Sequence, residues 1–227
     1  MLQILSDALT SWLLSAIFQL MVRSPSFCAV ILAAGESTRM GADKALLPWP
    51  PSHGGSGTGQ SFLSSAIRAL SPFSEMVIVV AGNNEARLAP VVYANGASLV
   101  RNPSPEQGQF SSLQVGLQAV LGYGRDAAIV TLVDRPPVSS AVLSALTAAL
   151  LDAPLGVWAV VPEYQGKHGH PVVLGREMIE AFLKAPATAN ARDIEHQHKE
   201  HIAYVAVDDP AVTMNVDTPE QYATLRH

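Results

Sequence analysis

The run Phe27-Cys-Ala-Val-Ile-Leu-Ala-Ala-Gly-Glu-Ser-Thr-Arg-Met-Gly41 decides how the rest of the chain is read. Its first part, Cys28–Ala33, is apolar without alternation, the pattern of a strand buried on both faces of a sheet. The residues that follow are small and then polar, as expected where such a strand ends in a turn. Cys28 is the chain's one cysteine, so it forms no internal disulfide, and its place in the run predicts a buried strand residue.

Outward from this strand, short apolar runs alternate with segments of helical periodicity. The further strands predicted are Met76–Ala81, Ala97–Val100, Ala127–Leu132, Gly156–Val161 and Ile202–Val207. Helices are predicted at Ser61–Leu70, Ser111–Leu121, Ser139–Leu151, Arg176–Leu183, Ala191–His198 and Thr218–Leu225, several opened by Ser or Thr. Alternation of this kind describes an α/β fold, a single three-layer α/β/α Rossmann-like domain with a mostly parallel central sheet. No linker or internal repeat divides it, so residues 25–227 form one domain. The segment Pro48–Gln60, PWPPSHGGSGTGQ, predicts a mobile surface loop without core contacts.

Residues 1–24 stand apart as an N-terminal amphipathic extension, with Leu5, Leu9, Trp12, Leu13, Ala16 and Leu20 at helical spacing. No positive residue precedes the apolar part, the first being Arg23, and Asp7 interrupts it; a signal peptide or membrane span fits poorly. Three readings stay open: a helix packed on the domain or on a second subunit, an interfacial anchor, or a leader before a true start at Met21. A cytoplasmic location follows from the lack of an export signal.

The 227 residues are 48% hydrophobic and 15% charged with interleaved signs, which excludes a disordered polyelectrolyte. A net charge of −5 argues against duplex nucleic acid bound through a broad basic surface, yet leaves room for a local cationic pocket. Such a pocket is encoded in the opening turn. Leu32, Ala33, Ala34 and Gly35 let backbone N–H groups approach an anion closely, Arg39 can bridge phosphate oxygens, and Lys44 supplies a compact positive charge. The turn has neither the Gly-x-x-x-x-Gly-Lys-Ser/Thr spacing of a P-loop nor the Gly-x-Gly-x-x-Gly of a dinucleotide fold, so phosphoryl chemistry of another kind is indicated.

With its Lys44, the stretch LAAGESTRMG resembles the signature of the MobA/MocA-like NTP transferases, which activate molybdopterin with CMP or GMP. The resemblance continues through PEQGQFSSLQVGL at 105–117, TLVDRPPV at 131–138, GKHGHPVVL at 166–174 and NVDTPEQY at 215–222, and so spans nearly everything after Phe27. It implies a nucleotide-diphospho-sugar-transferase-like fold and transfer of an NMP to a molybdopterin-type phosphate, with pyrophosphate released. LAAG, where the guanylyl branch more often has LAGG, favours the cytidylyl branch and hence CTP. Two alternatives remain, a sugar- or polyol-phosphate nucleotidyltransferase and a non-catalytic cofactor chaperone. The resemblance also implies delivery of the product to a molybdenum hydroxylase.

Arg39, Lys44 and Asp134 are the expected catalytic residues. The resemblance implies that Mg²⁺ is held by Asp134, at the end of a strand, and by Asp217, just before the last helix; otherwise the first forms a turn and the second caps that helix. Asn102 is expected either to read the base or to hold a turn; Gly108, Ser111 and Ser112 are expected to bind ribose, base or an acceptor phosphate, the alternative being helix capping by Ser111. On the acceptor side stand Gly169 and His170, by resemblance, and Arg135, which departs from the family's usual Gln and pairs either with an acceptor phosphate or with a surface carboxylate. His168 is expected in an exposed loop, and His196, His198 and His201 on a solvated helical face.

Overall fold

The computed structural model describes residues 25–35, 40–51, 59–186 and 188–225. The N-terminal extension, Arg39 and the centre of the 48–60 segment lie outside the described residues.

Eight strands form one mixed sheet: β1 Phe27–Leu32, β2 Met76–Ala81, β3 Ser98–Arg101, β4 Ala127–Leu132, β5 Ala159–Tyr164, β6 Lys167–His168, β7 Val172–Gly175 and β8 Ile202–Ala206. Their order is β3-β2-β1-β4-β7-β5-β6, with β8 paired to β5. The pairs β1–β2, β1–β4, β2–β3 and β5–β8 are parallel, whereas β7 runs antiparallel to both β4 and β5. Helices α1 Phe62–Leu70, α2 Glu85–Ala94 and α4 Ser140–Leu151 supply one layer, and α3 Gln109–Gly122, α5 Arg176–Lys184 and α6 Ala191–Gln197 the other. A short α7, Pro219–Thr224, ends the fold.

The lack of alternation in β1 has its explanation here. Ala29 and Ile31 enter the core beneath α1, α2 and α4, while Cys28, Val30 and Leu32 enter the core beneath α3 and α5. Both faces are dry, so every position must be apolar. Cys28 is fully buried, and burial pushes its thiol up to about 11. On the second face α3 lies unusually close to the sheet, because Gly116 stands where a Cβ would come 2.6 Å from Val30 Cγ1 and 3.0 Å from Val80 Cγ2.

Several expected elements are corrected. Helix α2 was absent from the sequence reading: Pro90 lies inside it, and Leu88 and Val92 are its only buried residues among those described. The strands β6 and β7 were also missed, because two and four residues carry too little pattern. β5 begins three residues later than expected, after a turn in which Gly156 has φ +103°. The ends of the 48–60 segment do contact the core. Trp49 packs on Phe62 at 4.7 Å, its N–H donates to Gln60 O at 2.9 Å, and Pro48 O accepts from the Tyr222 hydroxyl at 2.7 Å. Among the described residues, no helix is long and apolar enough to cross a membrane.

Gly116→Ala should therefore lower stability by about 1–3 kcal/mol, since stiff valine branches and not flexible side-chain ends oppose the added methyl. Thermal unfolding of the variant beside the wild type checks this, and an unchanged midpoint would show that α3 can lift away at no cost.

Candidate active site

The parallel strands β1, β2 and β4 end at one edge, where the chain changes from apolar residues to Ala34, Gly35 and Asp134. The ladder extends slightly into the loops: Ala33 N–H donates to Val80 O at 2.8 Å, Val133 N–H to Leu32 O at 3.1 Å and Val216 N–H to Asp134 O at 3.0 Å. That last bond brings the C-terminal segment beside the end of β4 and puts Asp217 next to Asp134.

Lys44 joins them from a third segment. Its ammonium lies 2.6 Å from Asp217 Oδ1 and 3.5 Å from Asp134 Oδ2. The three side chains are 13%, 31% and 25% exposed, so water screens the charges only in part. Asp134 Oδ1 is buried and accepts no hydrogen bond among the described residues. Asn215 Nδ2 donates to Asp217 Oδ2, and the Asp217 N–H donates to Gln221 Oε1. The cap of α7 is Thr218, in a capping box with Gln221, so the alternative that made Asp217 the helix cap is corrected.

A network that sequence reasoning missed supports Lys44. Asp43, with its side chain 4% exposed, caps the 3-10 turn Lys44–Leu46 by accepting from Ala45 N–H at 3.2 Å. Its other oxygen accepts from Asn84 Nδ2 at 2.9 Å and faces Arg87 Nη2 at 3.4 Å. Asn84 also donates to Ala33 O at 2.9 Å and accepts from Gly82 N–H at 3.1 Å. One buried amide thus ties the lysine turn to the ends of β1 and β2. The available signal was an aspartate in N-cap position directly before Lys44.

Between these parts opens a cleft of about 300 Å³, lined by Leu32, Ala34, Gly35, Lys44, Gly108, Ser112, Asp134 and Asp217 among others. Helix α3 begins at the cleft without a side-chain cap, after Gly108 at φ +96°, so its first N–H groups are available to an anion. Ala33, just after β1, and Ser111 are buried and do not line the cleft. Asn102 is 1% exposed, donates to the hydroxyls of Ser111 and Ser112 at 2.8 and 2.9 Å, and accepts from Ser104 N–H at 2.9 Å. This is the turn-holding alternative. The helix-cap alternative for Ser111 gives way, because its hydroxyl donates to Gly108 O at 2.7 Å and α3 already starts at Gln109.

In place of the surface carboxylate weighed for it, Arg135 meets backbone oxygens. Nη1 donates to Met214 O at 3.2 Å and approaches Val212 O at 3.4 Å, so the guanidinium anchors the segment that precedes Asp217. Burial lowers its pKa, against the pull of Asp134 and Asp217. Gly169 is required by packing, since a Cβ there would meet Val212 O at 2.1 Å. His170 follows it and lines a second cavity. Burial and the nearby Arg135 bring the imidazole down to about 4, a hydrogen bond with Val130 O acting the other way, and Nδ1 is buried without a partner among the described residues. His168 is on β6 and stacks on Tyr204 at 4.1 Å, a correction of the loop expectation. His198 and His201 lie beyond α6 and flank Trp158 at 5.1 and 3.8 Å, so only His196 is on the helical face expected for all three.

The model of the MobA-like NTP transferase domain matches residues 29–203. The chain is 25% identical over 199 residues to the molybdenum cofactor cytidylyltransferase of Escherichia coli K12, covering 87% of this chain and 94% of that one. It is 30% identical over 204 residues to the molybdenum cofactor guanylyltransferase of Xanthomonas euvesicatoria pv. vesicatoria, covering 87% and 93%. Among solved structures, Rv0371c of Mycobacterium tuberculosis H37Rv superposes with a TM-score of 0.71 at 22% identity, over 88% of this chain and 97% of that chain, a likeness of fold.

The His170 environment generates a pH prediction. An imidazole at 6.5 when unfolded and about 4 when folded binds its proton more tightly in the unfolded chain, so its contribution to stability is complete above pH 6.5 and is lost as pH falls towards 4. Chemical denaturation at intervals across that window should show this slope, and His170→Asn should remove part of it; the same slope in both proteins would assign it to other groups.

Proposed function

The chain belongs to the MobA-like NTP transferase family, and from that premise we propose that it transfers CMP from CTP to the terminal phosphate of a molybdopterin-type acceptor. The observation that carries the reading is the meeting of Lys44, Asp134 and Asp217 in the wall of a cleft that the uncapped start of α3 also borders. An acceptor phosphate oxygen attacks the α-phosphorus, the bond from that phosphorus to the bridging oxygen of the β-phosphate breaks, and pyrophosphate leaves. The attacking phosphate is ionised near neutral pH, so alignment and charge compensation suffice and no strong general base is needed.

Asp134 and Asp217 fit a hard divalent cation. They are oxygen donors close enough to share one ammonium, and Asp134 Oδ1 is buried without a hydrogen bond from any described residue. Mg²⁺ held by these two carboxylates would neutralise phosphate oxygens and favour departure of pyrophosphate. Lys44 exchanges its carboxylate partners for the α-phosphate as negative charge grows there. The N–H groups at the start of α3 and around Gly35 hold the remaining phosphate oxygens, the family motif adding Arg39.

Preference for CTP is supported by Ala34, a residue of the cleft lining at the position where the guanylyl branch more often has glycine. A non-catalytic chaperone would have no use for an ammonium held against two carboxylates beside an anion-binding helix start. Pyrophosphate release measured with CTP, GTP, ATP and UTP against molybdopterin tests donor and acceptor together; activity only with GTP would overturn the base, and activity only with a sugar phosphate the acceptor.

Lys44→Ala and Asp134→Ala should each lower turnover by about 10²–10³-fold or more while the circular dichroism spectrum stays that of the wild type. Full pyrophosphate release by either variant would remove the proposed chemistry. Chelation by EDTA should abolish turnover, and added Mg²⁺ should restore it.

A further inference from the structure

A second cavity of about 740 Å³ adjoins the cleft, and the two share the walls formed by Leu32, Gly108, Gln109 and Leu132. Its floor is apolar, made by Val130 of β4, Val172 and Leu174 of β7, and the rings of Phe110 and Phe182, which meet edge to face at 6.0 Å. Such a floor suits the face of a flat ring system. Its rim is polar and comes from the start of α6.

The polar rim residues differ in how far their bonding capacity is already used. Asn190 caps α6 by accepting from Asp193 N–H at 2.9 Å, and its amide donates to Asp193 Oδ2 at 2.6 Å, so these two largely satisfy each other. Glu195 lines the same cavity, and no described residue donates a hydrogen bond to its carboxylate. Burial raises its pKa, with Arg192 and His168 opposing. The side chain is half-buried, so its carboxylate faces the cavity beside an apolar floor with its oxygens open to the donors of a ligand. The rim carries a single guanidinium, Arg192, against the carboxylates of Asp193 and Glu195, so a phosphate group finds better company at Lys44, in the adjoining cleft.

We propose that Glu195 is the specificity-determining residue for the acceptor's ring, accepting two hydrogen bonds from a planar heterocycle with adjacent N–H donors, such as an aminopyrimidinone edge. The inference rests on the transfer reaction proposed above and gives the acceptor a direction, with its phosphate towards Lys44 and its ring over Phe182 towards α6. A carboxylate matches paired N–H donors in both charge and geometry; a carboxamide presents one oxygen and one competing N–H.

The test uses pterin, which carries the adjacent N–H pair, and lumazine, in which an oxygen replaces the amino group. Both are titrated into the full chain, wild type and Glu195→Gln, and CTP with Mg²⁺ is titrated into the same proteins. The wild type should bind pterin about tenfold or more tightly than lumazine, and Glu195→Gln should lose that discrimination. CTP affinity should stay unchanged, which also reports an intact fold. Equal pterin binding by wild type and variant would overturn the proposal, as would a loss of CTP affinity in its place or a wild type that binds CTP but no pterin. Discrimination through Glu195 in a protein that releases no pyrophosphate with any NTP would remove the transfer reaction and leave the ring site standing.

Discussion

The ammonium of Lys44, held between Asp217 and Asp134, is the contact on which the arrangement of the site depends. Each of the three charges is partly withdrawn from water, and the ammonium sits against both carboxylates. Loss of one member would weaken the charge balance at a partly dry edge. The supporting contacts fix the three backbones. Asp43 and Asn84 hold the lysine turn against β1 and β2, and the Val216–Asp134 hydrogen bond holds the last segment against β4. Arg135 adds a second tie to that segment through Met214.

The sheet explains why polar residues gather there. Strands buried on both faces cannot carry charge along their length, so the chemistry is displaced to their carboxyl ends, and β1, β2 and β4 deliver those ends together. The reversal at β7 then brings the start of that strand, with His170 just before it, towards the same edge. Two cavities with shared walls result: one is bordered by the parallel strands and the start of α3, the other by β4, β7 and α6.

How much of this was legible follows from how local each signal is. β2 and β4 could be read to the residue, because each is a nearly unbroken apolar run that opens just after an acidic residue, Glu75 or Asp126, and such a run has few other solutions. α1 and α4 announced themselves by Ser61 and Ser139, which do cap them. α2 did not, since Pro90 argues locally against the helix that packing of Leu88 and Val92 nevertheless stabilises. Within the site, Lys44, Asp134 and Asp217 were found through motifs, and the structure brings them together; nothing local ties residue 44 to residue 217. Asn84 was invisible for a related reason, its partner Asp43 being 41 positions away. For Asn102 the sequence leaves base reading and turn holding open, and its two serine partners, nine and ten positions away, show how the amide is held.

The ion pair between Lys44 and Asp217 joins residues 173 positions apart. On the ribosome, the lysine turn and the β1–β2 edge are made long before the residue that completes the charge balance. The nascent chain can therefore fold much of its sheet while still lacking a finished cleft, and an interrupted polypeptide ending before residue 217 carries half a site. Emergence of residue 217 thus doubles as the step that brings the last of these three charges to the site.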